Sequence, residues 1–188
     1  MTVGVLALQG GFIEHINALR SLGAECFEIR KRSDLDGRKT DGIILPGGES
    51  TVIGKLLRET GLFEPIKDRI ASGMPVFGTC AGLILLAGKI LLQDTVFFGA
   101  MDITVKRNAF GRQLGSFHTR GAFGAMKNVP MTFIRAPYIE SAGEQVEILS
   151  QTEGHITAAR QGNVLVTAFH PELTDDLRVH EYFLKQFI

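Results

Sequence analysis

The chain has no excess of charge of either sign. Its 188 residues carry 20 Lys and Arg against 20 Asp and Glu, which removes global electrostatic attraction to nucleic acid or an anionic membrane as a basis for function. No apolar run is long enough to span a bilayer. Only two cysteines are present, Cys26 and Cys80, too few for a disulfide framework. Close ligand pairs of the C-x-x-C or H-x-x-x-H kind are absent, as are internal repeats, low-complexity tracts and linker-like segments. The stretch Met1-Thr2-Val3-Gly4-Val5-Leu6-Ala7-Leu8 lacks a basic leader and reads as a strand, so no signal peptide is expected. Reduced thiols and a cytoplasmic setting are the simplest expectation. What remains is a chain of 45% hydrophobic and 21% charged residues, an ordinary globular balance, with a length that fits one domain over residues 1–188.

The pattern of that domain is organised around Pro75-Val76-Phe77-Gly78-Thr79-Cys80-Ala81-Gly82-Leu83-Ile84-Leu85-Leu86. It reads as a buried strand, a sharp turn and an apolar helix. The turn spells G-x-C-x-G, the thiol form of a nucleophile elbow. Glycines flank the nucleophile there because its backbone is strained and neighbouring Cβ atoms would clash. The turn places Cys80 at a strand's carboxyl end and a helix's N-terminus, where the thiolate is favoured. Its thiol is expected to face the surface. A small buried Cys in an ordinary turn is the competing reading of these residues alone.

On either side of the elbow the periodicity differs. Before it, strands are expected at Val3–Leu8, Cys26–Ile29 and Gly42–Leu45. Helices are expected from Phe12 to Leu22, from the Gly47-Gly48 turn to about Leu57, and from Phe63 to Ala71. This alternation predicts an α/β fold, a doubly wound, mostly parallel sheet with helices on both faces, flavodoxin-like. After about residue 95, strands are expected at Val96–Val105, Met131–Arg135, Val146–Ser150, His155–Arg160 and Val164–Phe169. Gly154 and Gly162 mark hairpins, so this half leans antiparallel. Leu177 to Phe187 reads as a closing amphipathic helix.

Sites in open α/β sheets form beyond the strands' carboxyl ends. Four loops qualify: Gln9-Gly10-Gly11, Gly47-Gly48-Glu49-Ser50, the elbow, and His170-Pro171-Glu172. His170 is suited to accept the Cys80 proton, and Glu172 could fix its tautomer as a triad's third member does. The same three residues could instead ligate a metal, although close ligand pairs are lacking. Gly47-Gly48-Glu49-Ser50 lacks a P-loop lysine, and Glu49 would repel phosphate. Its better use is backbone N–H groups, from Gly48 with Ala81, for an oxyanion. Arg107 and Arg135 are placed to grip a carboxylate, or to be merely solvated. His15 and His180 read as ordinary members of helical patterns.

These motifs together resemble the class I glutamine amidotransferases with a Cys-His-Glu triad, and within them the glutaminase subunits of pyridoxal 5'-phosphate synthases. The matching stretches are Ala7-Leu8-Gln9-Gly10, Glu14-His15, Leu45-Pro46-Gly47-Gly48-Glu49-Ser50-Thr51, Gly78-Thr79-Cys80-Ala81-Gly82-Leu83-Ile84, Arg107-Asn108-Ala109-Phe110-Gly111-Arg112-Gln113, Phe133-Ile134-Arg135-Ala136-Pro137 and Phe169-His170-Pro171-Glu172-Leu173. The match is weakest over 112–128. The resemblance implies hydrolysis of L-glutamine through a Cys80 thioester, with Gly48, Glu49, Ser50, Arg107, Ile134 and Arg135 around the glutamine. It also implies ammonia delivery to a (β/α)₈-barrel synthase subunit that builds pyridoxal phosphate, and it requires neither cofactor nor metal in this chain. Gln9 and Gly10 are the expected points of coupling to that partner. Two other readings stay open: a stand-alone Cys hydrolase, whose His usually follows the nucleophile directly where Ala81 stands here, and a non-catalytic binding subunit, which would ordinarily lack a triad member.

Overall fold

The structure, a computed structural model, describes residues 1–108 and 115–188. Continuous apolar runs build the first half. Strands β1 (Thr2–Leu6), β2 (Glu25–Ile29), β3 (Gly42–Leu45) and β4 (Val76–Thr79) alternate with helices α1 (Phe12–Ser21), α2 (Ser50–Glu59), α3 (Phe63–Ala71) and α4 (Ala81–Leu86). Every residue of β3 and β4 is buried, as expected for strands covered on both faces. The second half contributes β5 (Ala87–Ile90), β6 (Met101–Lys106), β7 (Ser116–Phe123), β8 (Met126–Ile134), β9 (Tyr138–Ala142), β10 (Glu147–Thr152), β11 (His155–Gln161) and β12 (Val164–Thr167), closed by α5 (Arg178–Phe187).

The large sheet runs β2-β1-β3-β4-β12-β11-β9-β6-β5, with β10 on β11. From β2 to β12 all neighbours are parallel; from β12 through β6 they are antiparallel. The chain steps from β1 to β2 on one side and then to β3 on the other, the kind of reversal that opens a crevice at strand ends. Strand β12 decides the site's composition. It returns from the antiparallel half to lie parallel to β4, with Thr167 beside Thr79, and so delivers residue 170 next to residue 80. Two-residue loops with Gly154 and Gly162 at positive φ close the β10–β11 and β11–β12 hairpins, where glycine was expected to turn the chain.

Several elements differ from the sequence expectation. The strand expected over Val96–Val105 begins only at Met101. Its apolar start is core packing instead: Phe98 stacks on Phe63 at 5.0 Å, and Phe97 lies on Gly54 of α2 so closely that a Cβ there would be 2.1 Å from the ring. Strand β8 begins before Pro130 rather than at Met131 and pairs with β7 as a separate two-stranded ribbon. Proline is tolerated there because a ribbon has free edges. Strands β5, β7 and β9 were not anticipated.

Candidate active site

The elbow has the strain its glycines suggested. Cys80 is held at φ 47°, ψ −96°, a region costly for a side chain that bears a Cβ. Its N–H donates to the Thr167 carbonyl at 2.8 Å. A Cβ on Gly82 would lie 2.0 Å from the Leu45 carbonyl oxygen, and one on Gly78 would lie 2.6 Å from the Gly82 carbonyl carbon. Both glycines therefore let α4 seat directly on the ends of β3 and β4. One expectation needs correction. Cys80 is buried, 7% exposed, because the neighbouring loops wall it in; it is reached through a cavity rather than lying on the surface.

His170 follows the end of β12, and its N–H donates to the Thr132 carbonyl at 2.8 Å. Pro171 opens a short 3₁₀ turn that folds Glu172 back beneath the ring. His170 Nδ1 then lies 2.7 Å from Glu172 Oε1, which sets the tautomer and leaves Nε2 for Cys80. Burial opposes protonation of His170, but its hydrogen bonds to Cys80 and Glu172 outweigh that and raise its pKa to about 10. For Glu172, burial favours the neutral acid. The neighbouring His15 and the His170 hydrogen bond prevail, holding its pKa below the ordinary value. At neutral pH the imidazole holds a proton and the carboxylate does not.

The Gly47-Gly48 loop lies against this pair. A Cβ on Gly47 would be 2.3 Å from His170 Cε1. The Gly47 N–H donates to Thr79 Oγ1 at 3.0 Å, and the Gly47 carbonyl accepts from the Gly11 N–H at 3.2 Å. No peptide bond is cis among the described residues, so the Gly48 N–H points to the opposite side, away from Gly11. The first loop clasps the second a further time: Gln9 Oε1 accepts from the Glu49 N–H at 2.8 Å. Gly10, at φ +99°, has room for no side chain, since a Cβ would be 1.8 Å from the Gly47 oxygen.

A cavity of about 210 Å³ opens over Cys80 and His170. Gly48, Glu49, Ser50, Arg107, Ile134 and Arg135 all line it, and Gln9 does too. Arg107 is ion-paired to Glu49 at 2.6 Å. Ala81, Gly10 and Glu172 are not among the residues that line it. Ile84, Asn108 and Pro137 line the cavity without having been anticipated. The part of the Arg-Asn-Ala-Phe-Gly-Arg-Gln stretch from Ala109 to Gln113 lies outside the described residues. Among the described residues, no group of three or more His, Cys, Asp or Glu is placed to hold a metal ion.

A family model described as the SNO glutamine amidotransferase family matches residues 5–188. The chain belongs to that family. It is 54% identical over 184 residues to the pyridoxal 5'-phosphate synthase subunit PdxT of Desulfitobacterium hafniense strain DSM 10664 / DCB-2, covering 98% of this chain and 92% of the relative. It is also 54% identical over 187 residues to PdxT of Streptococcus pneumoniae strain CGSP14, covering 98% and 96%. A solved glutamine amidotransferase crystal structure superposes with a TM-score of 0.91 at 46% identity, covering 97% of each chain. The structure of PurLQS from Thermotoga maritima matches with a TM-score of 0.67 at 16% identity, over 100% of this chain and 98% of that one, a likeness of fold alone.

Beneath Cys80, His170 and Glu172 this amidotransferase carries a polar cluster that sequence reasoning passed over. His15 of α1 and His180 of α5 are both wholly buried, with His15 Nδ1 2.9 Å from His180 Nε2. His15 Nε2 lies 3.1 Å from Thr79 Oγ1 and 3.4 Å from Glu172 Oε2. Burial lowers the pKa of both histidines, that of His180 to about 3 with help from His15. Nothing in their separate helical surroundings marks them as partners; the only signal was that Glu14-His15 belonged to the stretches resembling the family.

Proposed function

We propose that this chain is the glutaminase subunit of a pyridoxal 5'-phosphate synthase, a single glutamine amidotransferase domain over residues 1–188. It hydrolyses L-glutamine to L-glutamate and ammonia. The observation that carries the site assignment is the cavity itself: one small chamber lined by Cys80, His170, Gly48 of the glycine loop and two arginines. Cys80 attacks the side-chain amide carbon, and the N–H groups of Gly48 and Ala81 receive the developing oxyanion. The C–N bond breaks as His170, oriented by Glu172, passes its proton to the leaving nitrogen, which departs as ammonia. The γ-glutamyl thioester that remains is attacked by water, with His170 now taking a proton, and the C–S bond breaks to return the thiolate. Gly48, Glu49, Ser50, Arg107, Ile134 and Arg135 hold the glutamine, and no metal or cofactor takes part.

The ammonia passes to a (β/α)₈-barrel synthase subunit, and contact with that partner reaches the oxyanion loop through Gln9 and Gly10. The two hydrogen bonds from the first loop to Gly47 and Glu49 support this route. A glycine peptide can rotate at low cost. Rotation of the Gly47–Gly48 peptide would break the bond from Gly11 and turn a carbonyl toward the oxyanion position; loss of one such donor costs on the order of 10²–10³ in rate. The test is glutamate production at saturating glutamine across a titration of synthase subunit. Turnover should rise strongly with added partner, and Gln9→Ala should blunt the rise more than it alters basal turnover. A flat titration with a fully active isolated chain would sink the coupling and favour a stand-alone hydrolase.

A further inference from the structure

We propose that His15 is a positioning residue for the glutaminase reaction, one buried imidazole that holds both the carboxylate orienting His170 and the hydroxyl orienting the oxyanion loop. The proposal rests on the glutaminase reading above. Glu172 Oε1 is taken by His170. Its Oε2 makes no hydrogen bond in the structure, yet His15 Nε2 lies 3.4 Å from it. The same nitrogen lies 3.1 Å from Thr79 Oγ1, and that oxygen accepts the Gly47 N–H at 3.0 Å. Thr79 is also the residue just before the nucleophile. A single nitrogen thus faces the triad's acid and the anchor of the loop that supplies the Gly48 donor.

The tautomer follows from the charges. An unprotonated Nε2 would aim its lone pair at an ionised carboxylate in a site without exposure to water, which is unfavourable. Nε2 therefore carries the hydrogen, and Nδ1 accepts from His180 Nε2–H at 2.9 Å. His180 Nδ1 is then a bare acceptor, consistent with its lack of a hydrogen-bond partner. His180 sets the tautomer, His15 presents the N–H, Thr79 Oγ1 receives it at 3.1 Å, and Glu172 Oε2 lies 3.4 Å from the same nitrogen, close enough to feel its positive end. A neutral imidazole does this without adding a second cation beside His170, and burial favours that neutral form.

The alternative is that two core histidines merely satisfy each other. The two ideas separate by which ring nitrogen matters. The amide nitrogen of glutamine reaches the place of histidine Nε2; that of asparagine reaches only the place of Nδ1. In the complex with the synthase subunit, wild type hydrolyses glutamine if the underlying reading holds; a silent wild type removes both. Relative to an active wild type, His15→Asn and His15→Leu should lower kcat by about 10- to 100-fold with KM nearly unchanged, the cost of a misplaced reacting group. His15→Gln should stay within about fivefold of wild type. Thr79→Val should match His15→Leu, Thr79→Ser should not, and the Thr79→Val, His15→Leu double variant should lose little more than either single one. Thermal melting and alkylation of Cys80 by iodoacetamide report whether each variant is folded. If His15→Leu fails to fold, the glutamine and asparagine variants and the Thr79 pair still decide. Equal kcat for His15→Gln and His15→Asn, or losses that track melting temperature alone, overturn the proposal.

Discussion

The parallel and antiparallel halves of the sheet serve the site in different ways. On the proposed mechanism, the parallel half supplies the reacting groups from glycine-bearing loops that leave no room for a side chain. Gly10, Gly47, Gly78 and Gly82 each sit where an added Cβ would fall within 3 Å of a neighbour, and Cys80 is held in a strained conformation. The antiparallel half and its ribbon supply side chains that project from strand ends. Arg107 follows β6, Ile134 ends β8 and Arg135 follows it, with Arg135 and Ile134 exposed at the cavity's mouth. On that reading the close-packed loops of the parallel half carry the chemistry, with Glu49 and Ser50 also meeting the substrate, and the antiparallel half adds recognition by side chains at the rim. Substitutions in the first region should strike kcat, and those in the second should strike KM.

Cys80→Ala tests that division most severely. Glutamine hydrolysis should fall by on the order of 10⁴-fold or more, while the fold and the association with the synthase persist, because only one sulfur is removed. Glutamate release together with circular dichroism checks it, and retained activity would rule out a thioester. Cys26→Ala is the matched control. That residue lies within β2, away from the cavity, and its variant should keep wild-type turnover. Glu172→Gln comes next. It keeps the shape beneath His170 but loses the charge that fixes the tautomer and stabilises the imidazolium, so kcat should drop by roughly 10²–10⁴ with glutamine affinity largely kept. Cys80 should still be alkylated by iodoacetamide. A kinetically silent Glu172→Gln would reduce Glu172 to a loop residue.

The antiparallel half should respond in the other parameter. Arg107→Met and Arg135→Met each remove a donor suited to a carboxylate, and a hydrogen bond to a charged group contributes about 1.5–3 kcal/mol. KM for glutamine should therefore rise by about tenfold or more, with a smaller change in kcat. If either variant instead lowers kcat at constant KM, the boundary between chemistry and recognition does not follow the boundary between the two halves.

The same contrast explains what could be read from the sequence. The parallel half was legible because buried strands are continuous apolar runs and because glycines mark their loops; Cys80, His170 and the Gly47-Gly48 pair were found that way, and β12 brings them together. The second half was less legible. Strand β7 alternates between exposed and half-buried residues over most of its length, so it lacks an apolar run, and Pro130 masks the start of β8. Strand β5, Ala87 to Ile90, follows α4 without a break and reads as the tail of an apolar helix. Phe97 and Phe98 mimic strand residues although they pack on α2 and α3. The buried link between His15 and His180 spans 165 positions. Each is a plausible helix-face residue by itself, and only the packing of α1 against α5 makes them a pair.

The smallest expected effect concerns stability rather than turnover, and it comes from the buried histidines His15, His170 and His180. His180 falls from its ordinary 6.5 to about 3 on folding, through burial and the neighbouring His15. Below pH 6.5 the unfolded chain therefore takes up a proton that the folded chain refuses, so stability is lost as pH falls from 6.5 toward 3. His15 is lowered too, by burial, and acts with the same sign. His170 moves the other way, from 6.5 to about 10, because its bonds to Cys80 and Glu172 overcome burial. Its contribution is fully present below 6.5, adds no slope there, and is lost as pH rises toward 10. The carboxylates held below their ordinary pKa, such as Glu172, contribute only at the acid end, below about 4.5. Stability should therefore peak near neutrality and fall on both sides, with a limiting slope of about 1.4 kcal/mol per pH unit for each histidine. Urea unfolding at a series of pH values measures this directly. His180→Gln should flatten the acid limb between about pH 5 and 6.5, and His170→Asn should flatten the alkaline limb while leaving the acid limb alone. An acid limb unchanged in His180→Gln would mean that His180 is charged in the folded protein. The His180 to His15 hydrogen bond would then be an ionic one, and the neutral tautomer assigned to that pair would be wrong.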